Sequence, residues 1–157
     1  MISLLLRNLL FTVLQPGLVA GLVPYLILRA GDRSFRPESP TIGTLAGGVL
    51  FVAGLIILTI CILRFATEGR GTLSPLDPTR KLVVRGLYKY SRNPMYVGVM
   101  LMLAGECLFW PSWGLAVYAA VVFAAFNLFI RLHEEPRLRR DFGPEYENYR
   151  RRVRRWI

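Results

Sequence analysis

The chain has 157 residues and a formal net charge of +10, and 54% of its residues are hydrophobic. The mean hydropathy of +0.41 is high for a soluble protein, so we expect one integral membrane domain. The basic residues flank apolar segments and no nucleic-acid-binding motif is recognisable, so we expect anionic lipid rather than nucleic acid as their partner. The two cysteines form no C-x-x-C pair, and we expect no metal site.

Four apolar runs predict four membrane-spanning helices, because a helical span needs roughly 20 mostly apolar residues. The first run contains Pro16 and Pro24, which predict a kink. In the second run, Gly43, Gly47 and Gly48 have the spacing that lets another helix approach closely. The four runs cover approximately residues 4–28, 41–65, 94–110 and 115–132.

The short turn "WPSWG" joins the third and fourth runs, which predicts an antiparallel helical hairpin. Such a hairpin returns the chain to the side of the membrane from which it started. The start of the third helix and the end of the fourth are therefore expected to lie close together. Glu106, deep in the third run, either meets water at the outer end of this helix or contacts a partner or substrate.

The polar segments predict the orientation of the helices. Residues 64–92 contain seven Lys and Arg and residues 131–155 contain nine, whereas residues 29–36 contain three. The positive-inside rule places the middle segment, the tail and, with four spans, the N-terminus on the cytoplasmic side. Leu82, Val83, Leu87 and Tyr90 are spaced to form one face of a short interfacial helix. The tail is expected to be helical in pieces broken at "FGP", residues 142–144.

Polar side chains gather at both ends of the predicted hairpin. Pro94 suits the first turn of the third helix, where its missing N–H costs little and the free N–H groups can meet a ligand. An alternative is that these basic and aromatic residues only anchor the helices at the membrane interface. The group consists of Arg92, Asn93 and Tyr96 at one end and Arg131, His133, Glu134 and Glu135 at the other, with Tyr88 and Tyr90 nearby.

Three motifs occur in order along the second half of the chain: "LVVRGLYKYSRNPMYVG", then "EEPRL", then "FGPEYENYRRRV". Together they resemble the isoprenylcysteine carboxyl methyltransferase and phospholipid methyltransferase superfamily of integral membrane enzymes. The resemblance covers about residues 71–156. We accordingly divide the chain into residues 1–66, two N-terminal transmembrane helices, and residues 67–157, the methyltransferase core. The expected fold is all-α, with about four transmembrane helices and a cytoplasmic helical tail over a cofactor pocket.

The resemblance implies an enzyme that transfers a methyl group from S-adenosylmethionine to a lipophilic acceptor. It also implies roles for individual residues. Arg131, Glu135 and His133 are the catalytic candidates: the arginine would orient the acceptor, and a carboxylate or the histidine would take its proton. The residues implied in binding the cofactor are Arg80, Lys81, Leu82, Val83, Tyr88, Arg92, Asn93, Pro94, Met95, Tyr96 and Glu134.

Asn93 stands where the eukaryotic prenylcysteine enzymes have histidine, and this difference favours the bacterial phospholipid-methylating branch or an uncharacterised one. The preferred acceptor is a phospholipid amine, with a prenylcysteine-like carboxylate or a small hydrophobic molecule as alternatives. We expect a protein of the bacterial inner membrane whose active site faces the cytoplasm. Two other functions remain open: a nicotinamide-dependent membrane reductase of related architecture, and a non-enzymatic protein that binds anionic lipid.

Overall fold

The computed structural model describes residues 16–31, 41–68 and 82–157, and in these ranges the chain is helical with no strand. Residues 4–15 of the first predicted span and the candidate cofactor residues Arg80 and Lys81 lie outside the described residues. The first described helix is α-helical at residues 16–17, passes through a π-helical turn, Leu18–Leu22, and continues as α1, Val23–Ala30. Its kink is at Ala20, where φ is −110° and ψ is 22°, four residues before Pro24, whose ring and missing N–H disturb the helix at that carbonyl.

Three apolar helices follow: α2 is Ile42–Glu68, α3 is Pro94–Phe109 and α4 is Trp113–Phe129. Two stretches in the described residues are long and apolar enough to cross a membrane, namely Ile42–Arg64 and Trp113–Arg152, the second of which includes the polar helix after α4. Helix α3 and the segment Leu18–Ala30 are shorter apolar helices. The helical character and the bounds of the predicted hairpin are thus confirmed for these residues.

Glycines bring α2 and α3 into backbone contact. A Cβ atom added at Gly54 would lie 2.5 Å from the carbonyl oxygen of Gly98, and one added at Gly47 would lie 2.6 Å from that of Gly105. Of the three glycines singled out in the sequence, Gly47 therefore makes the close approach, whereas nothing lies within 4 Å of a Cβ added at Gly48. The two helices run antiparallel, and this contact fixes the position of α3.

The polar C-terminal part continues directly from α4. A π-helical turn, Ile130–Glu134, leads into α5, Glu135–Arg152. Gly143 interrupts α5 with a φ of 48°, a value that L side chains rarely adopt, and this confirms the predicted break at residues 142–144. After α5 the backbone becomes extended at Val153, and Arg154 forms a parallel bridge with Ser91.

The segment before α3 differs from the sequence prediction. Among the described residues of this segment only Gly86–Lys89 is helical, as a 3₁₀ turn, and residues 82–85 before it are not helical. Val83 is buried but Tyr90 is 74% exposed, so the two do not share one apolar helix face. Gly86 begins the turn with a φ of 62°. The predicted interfacial helix is wrong because this left-handed residue and the turn that follows it replace a regular helical repeat.

Candidate functional site

The corner that precedes α3 is held by the C-terminal segment. The backbone N–H of Arg92 donates to the carbonyl oxygen of Arg154 at 2.9 Å. The Asn93 side-chain amide donates to the carbonyl oxygen of Arg155, also at 2.9 Å. Ser91 and Asn93 are both buried, and the Ser91 hydroxyl accepts a bond from the Asn93 backbone N–H. Because buried polar groups need partners, these bonds fix the entrance to α3 against the C-terminal segment.

A buried ion cluster joins the two ends of the hairpin. Glu135 at the start of α5 accepts from Arg92 Nη1 at 3.0 Å. The same carboxylate receives two bonds from Arg155, Nε to Oε1 at 2.9 Å and Nη2 to Oε2 at 3.0 Å. Arg92 Nη1 also lies 3.1 Å from the hydroxyl of buried Tyr146. The two ends of the hairpin therefore meet in one place, as the sequence predicted.

Glu134 is held separately from this cluster. Its Oε2 accepts a hydrogen bond of 3.0 Å from the Tyr96 hydroxyl on the first turn of α3. The Tyr96 ring packs on Phe126 with 4.6 Å between ring centres, which fixes the direction of that hydroxyl. In the described residues no donor lies within hydrogen-bond distance of Glu134 Oε1. Glu134 therefore has one oxygen positioned by the protein and one oxygen available to a ligand.

A cavity of about 60 Å³ lies between these groups. It is lined by the entrance to α3, the π-helical turn and α5, and it contains both charged and aromatic side chains. The predicted residues that it brings together are Leu82, Val83, Tyr88, Arg92, Asn93, Glu134 and Glu135; the others in its wall are Ile130, Leu138, Tyr146 and Tyr149.

Five described candidates from the sequence lie outside the cavity wall. Pro94 is buried at the first position of α3, where its missing N–H costs little. Met95 and Tyr96 are partly buried and do not line the cavity, but the Tyr96 hydroxyl positions Glu134, which does. Arg131 and His133 are exposed on the π-helical turn, and the His133 ring stacks on Phe129 at 5.5 Å. The wall thus receives one face of the turn, with Ile130 and Glu134, and not Arg131 or His133 between them.

The two adjacent glutamates, which follow the apolar part of α4, differ in acidity. Burial alone would raise the pKa of Glu135, but the hydrogen bonds from Arg155 and the charges of Arg92 and Arg155 outweigh it and hold this pKa below its ordinary value. Burial raises the pKa of Glu134, and the Tyr96 hydroxyl offsets only part of that effect. Glu135 is therefore an ion-pair anchor, whereas Glu134 carries a charge that a bound cation would stabilise.

The charged groups in the wall fit S-adenosylmethionine, which has a carboxylate and two cationic centres. Arg92 Nε is buried and has no hydrogen-bond partner among the described residues, so the wall contains a donor that an anionic group would satisfy. Glu134 supplies the opposite charge. The cavity is smaller than the roughly 300–1,000 Å³ of small-molecule sites, so it accommodates one polar end of such a ligand without movement of the wall.

Sequence reasoning missed several residues that build the site. The Tyr149 hydroxyl donates to the carbonyl oxygen of Tyr88 at 2.7 Å, and Trp156 Nε1 donates to Asn127 Oδ1 at 3.1 Å. The two tyrosines of "FGPEYENYRRRV", Tyr146 and Tyr149, belonged to a recognised motif and were available as a signal. Nothing local in the sequence indicated that Trp156 would fold back on α4.

Comparison with known proteins gives one positive finding. The family model described as "Phospholipid methyltransferase" matches residues 42–145, more than half of the chain. No match was found among curated proteins or among solved structures. The match begins at α2, earlier than the resemblance drawn from the motifs, and it includes the entrance to α3 and both glutamates. The chain therefore belongs to the phospholipid methyltransferase family, whose members are membrane methyltransferases that act on lipid.

Proposed function

We propose that this protein transfers a methyl group from S-adenosylmethionine to a lipophilic acceptor, with a phospholipid amine as the preferred substrate. The observation that carries the proposal is the meeting of the α3 entrance with the two glutamates around one cavity, inside the range that the family model matches. Membership in the family favours methyl transfer over a nicotinamide-dependent reductase and over lipid binding without catalysis.

The residues in the cavity wall are proposed to bind and orient the cofactor. When bound, S-adenosylmethionine supplies an activated methyl group on a cationic sulfur. Glu134, positioned by Tyr96, offers a carboxylate to its cationic part. The Tyr88, Tyr146 and Tyr149 side chains form an aromatic wall, which suits a sulfonium because ring faces attract cations. Holding donor and acceptor in line supplies much of the rate of such a displacement.

Binding the whole cofactor requires the wall to move. A volume of about 60 Å³ is several times smaller than a nucleoside-sized ligand needs. The C-terminal segment lies next to the wall, where Arg154 and Arg155 hold the entrance to α3 and Trp156 contacts α4 through a small number of hydrogen bonds. We propose that this segment opens to admit the cofactor and closes over it, which would exclude water during transfer.

The acceptor side is proposed to lie at the exposed face of the π-helical turn. Arg131 and His133 are exposed there, next in sequence to Glu134. A guanidinium suits a lipid phosphate, and an imidazole is a suitable acceptor for the proton that an ammonium must lose before it attacks. Glu135 is the weaker proton acceptor of the candidates because two arginines stabilise its ionised form, and we propose that it positions Arg92.

The membrane arrangement is also a proposal. Four spans with the site on the cytoplasmic side of a bacterial inner membrane agree with the distribution of Lys and Arg along the chain. In this orientation the Asn93 corner and Glu134 lie at the level of the inner-leaflet headgroups. A lipid amine would then reach the site without leaving the membrane.

Labelled methyl transfer tests the proposed function. Purified protein is incubated with S-adenosylmethionine carrying a labelled methyl group and with total membrane lipid, and the labelled product is identified by mass. We expect a methylated phospholipid with the wild-type protein and at least a tenfold lower rate with Glu134→Gln. Glu147→Gln, on the exposed side of α5, is the matched control and should retain activity. Labelling that is equal in the presence and absence of the protein would refute the proposal.

A further inference from the structure

We propose that the end of α5 and the extended segment after it form a binding surface for the headgroups of anionic phospholipids. This surface, which we name the basic face, consists of the side chains of Arg151, Arg152 and Arg154. None of the three lines the cavity, so the lipid bound here is a partner distinct from the methyl donor and from the methyl acceptor. The inference does not rest on the proposed function.

The ion pairs of the C-terminal part separate its arginines into two groups. Residues 131–155 contain nine arginines, and Arg151, Arg152 and Arg154 are exposed with no carboxylate of the described residues within ion-pair distance. Apart from Arg131 on the π-helical turn, the uncompensated positive charge is therefore concentrated at the end of this part. The other arginines are neutralised in the pairs Arg137–Asp141, Arg139–Glu147, Arg140–Asp141, Arg150–Glu147 and Arg155–Glu135, at distances of 2.9 to 3.8 Å.

The backbone gives two of these arginines a common direction. Val153 has the extended values φ −122° and ψ 131°, and successive side chains of an extended backbone point to opposite sides. Val153 is buried and Arg155 is bonded to Glu135, so one side of the segment faces the protein. Arg152 and Arg154 consequently share the other side, where both are exposed.

The basic face adjoins the end of a membrane helix. Trp156 Nε1 donates to Asn127 Oδ1 at 3.1 Å, and the Trp156 ring lies 5.1 Å from that of Phe123, both in the second half of α4. Tyr90, which precedes the residue bridged to Arg154, is 74% exposed beside this segment. Tryptophan and tyrosine are typical of the membrane–water boundary, where anionic phosphates attract lysine and arginine. Lipid headgroups therefore fit this combination of charge and aromatic rings better than a soluble anion.

Lipid bound at the basic face would also hold the corner before α3. The carbonyl oxygen of Arg154 accepts from the Arg92 N–H, and that of Arg155 accepts from the Asn93 side-chain amide. Headgroups bound to the side chains of Arg152 and Arg154 fix the same segment from its outer side. Because a ligand that binds one arrangement of the chain stabilises it, anionic lipid should slow hydrogen exchange at the Arg92 N–H.

Lipid titration tests the basic face directly. The purified protein in neutral detergent is titrated with dioctanoylphosphatidylglycerol, which is anionic, or with dioctanoylphosphatidylcholine, which has no net charge, and bound lipid is measured by native mass spectrometry. We expect the wild-type protein to prefer phosphatidylglycerol. The double variant Arg152→Gln/Arg154→Gln should bind phosphatidylglycerol about 25-fold more weakly, since each arginine near an anionic headgroup contributes about fivefold. Its affinity for phosphatidylcholine should stay the same.

Arg139→Gln/Arg140→Gln is the matched control. It removes the same two positive charges from the ion-paired part of α5, and it should keep the wild-type preference for phosphatidylglycerol. Hydrogen exchange of residues 91–93 gives a second measurement. Phosphatidylglycerol should slow this exchange in the wild-type protein and in the control, but not in Arg152→Gln/Arg154→Gln.

Three results would overturn the inference. Equal affinity of the wild-type protein for the two lipids would do so without any variant. Equal weakening of phosphatidylglycerol binding in both double variants would show that only the net charge of the protein attracts the lipid. Displacement of phosphatidylglycerol by inorganic phosphate would identify a site for a free anion. No cofactor is present in these measurements, so a failure of methyl transfer leaves their outcome unchanged.

Discussion

Replacing Gly54 with alanine probes the contact that positions α3. The added Cβ would lie 2.5 Å from the Gly98 carbonyl oxygen and 2.8 Å from the Met102 backbone nitrogen. The first distance is about 0.9 Å less than the 3.4 Å at which ordinary contact begins. Because both atoms belong to the main chain, no side-chain rotation relieves the overlap and the two helices must separate. Overpacking of this kind typically costs about 1–3 kcal/mol, and the gain in helix propensity returns at most about 1 kcal/mol.

The expected net loss for Gly54→Ala is therefore about 1–2 kcal/mol, or a decrease in Tm of about 2–8 °C for a chain of this length. Gly48→Ala on the same helix is the control, because nothing lies within 4 Å of its added Cβ, and its Tm should stay the same or rise. The assay is thermal unfolding of both variants in the same detergent. Equal Tm changes for the two variants would refute the proposed α2–α3 contact.

Three further changes test the site. Glu135→Gln should cost about 3–5 kcal/mol at pH 7, because it leaves buried charge unpaired. Because the pKa of Glu135 is depressed in the folded protein, the ionised carboxylate stabilises the fold above the ordinary pKa of 4.5, and this stabilisation is lost as the pH falls below that value. Thermal scans from pH 7 to about pH 3 should therefore show a smaller acid-dependent decrease in Tm for Glu135→Gln than for the wild-type protein. Equal decreases would contradict this reasoning. Tyr149→Phe removes the bond to the Tyr88 carbonyl and should cost about 1–3 kcal/mol in denaturant unfolding; an unchanged midpoint would argue against that bond. Tyr96→Phe removes the hydrogen bond to Glu134 and should weaken S-adenosylhomocysteine binding about fivefold, which corresponds to a loss of about 1 kcal/mol. Equilibrium dialysis measures this affinity, and an unchanged value would show that Tyr96 does not contribute to the site.

The hairpin was predictable because its signals are local. A proline opens α3, the turn "WPSWG" separates two apolar runs, and the observed helices Pro94–Phe109 and Trp113–Phe129 agree with the predicted runs. The meeting of Arg92 with Glu135 follows from that hairpin by topology alone, since two adjacent antiparallel helices must bring these ends together. The order of the two helices along the chain is therefore sufficient to predict this contact.

The π-helical turn was not predictable from a helical repeat of 3.6 residues. It places Ile130 and Glu134 in the cavity wall and leaves Arg131 and His133 exposed. A π-helical turn inserts one extra residue per turn, which changes the face on which each later side chain appears. Sequence spacing therefore located this polar group but did not indicate which of its members point into the cavity.

Contacts between residues far apart in the chain could not be predicted from the sequence either. The bridge between Ser91 and Arg154 joins residues that are far apart in the chain, and no periodicity encodes that register. The glycines at the closest helix contact, Gly54, Gly98 and Gly105, are placed in the middle of apolar runs, where a glycine without its partner carries no distinctive signal. Their role appears only when both helices are placed together.

Hydrogen–deuterium exchange with and without saturating S-adenosylhomocysteine tests the central claim most directly, because it locates the bound cofactor on the chain. The account predicts slower exchange in two separate segments, residues 91–97 and residues 130–149, together with the C-terminal residues 153–157 that hold the entrance to α3. Protection at only one of the two segments, or protection confined to α1 and α2, would contradict a single site built from both ends of the hairpin.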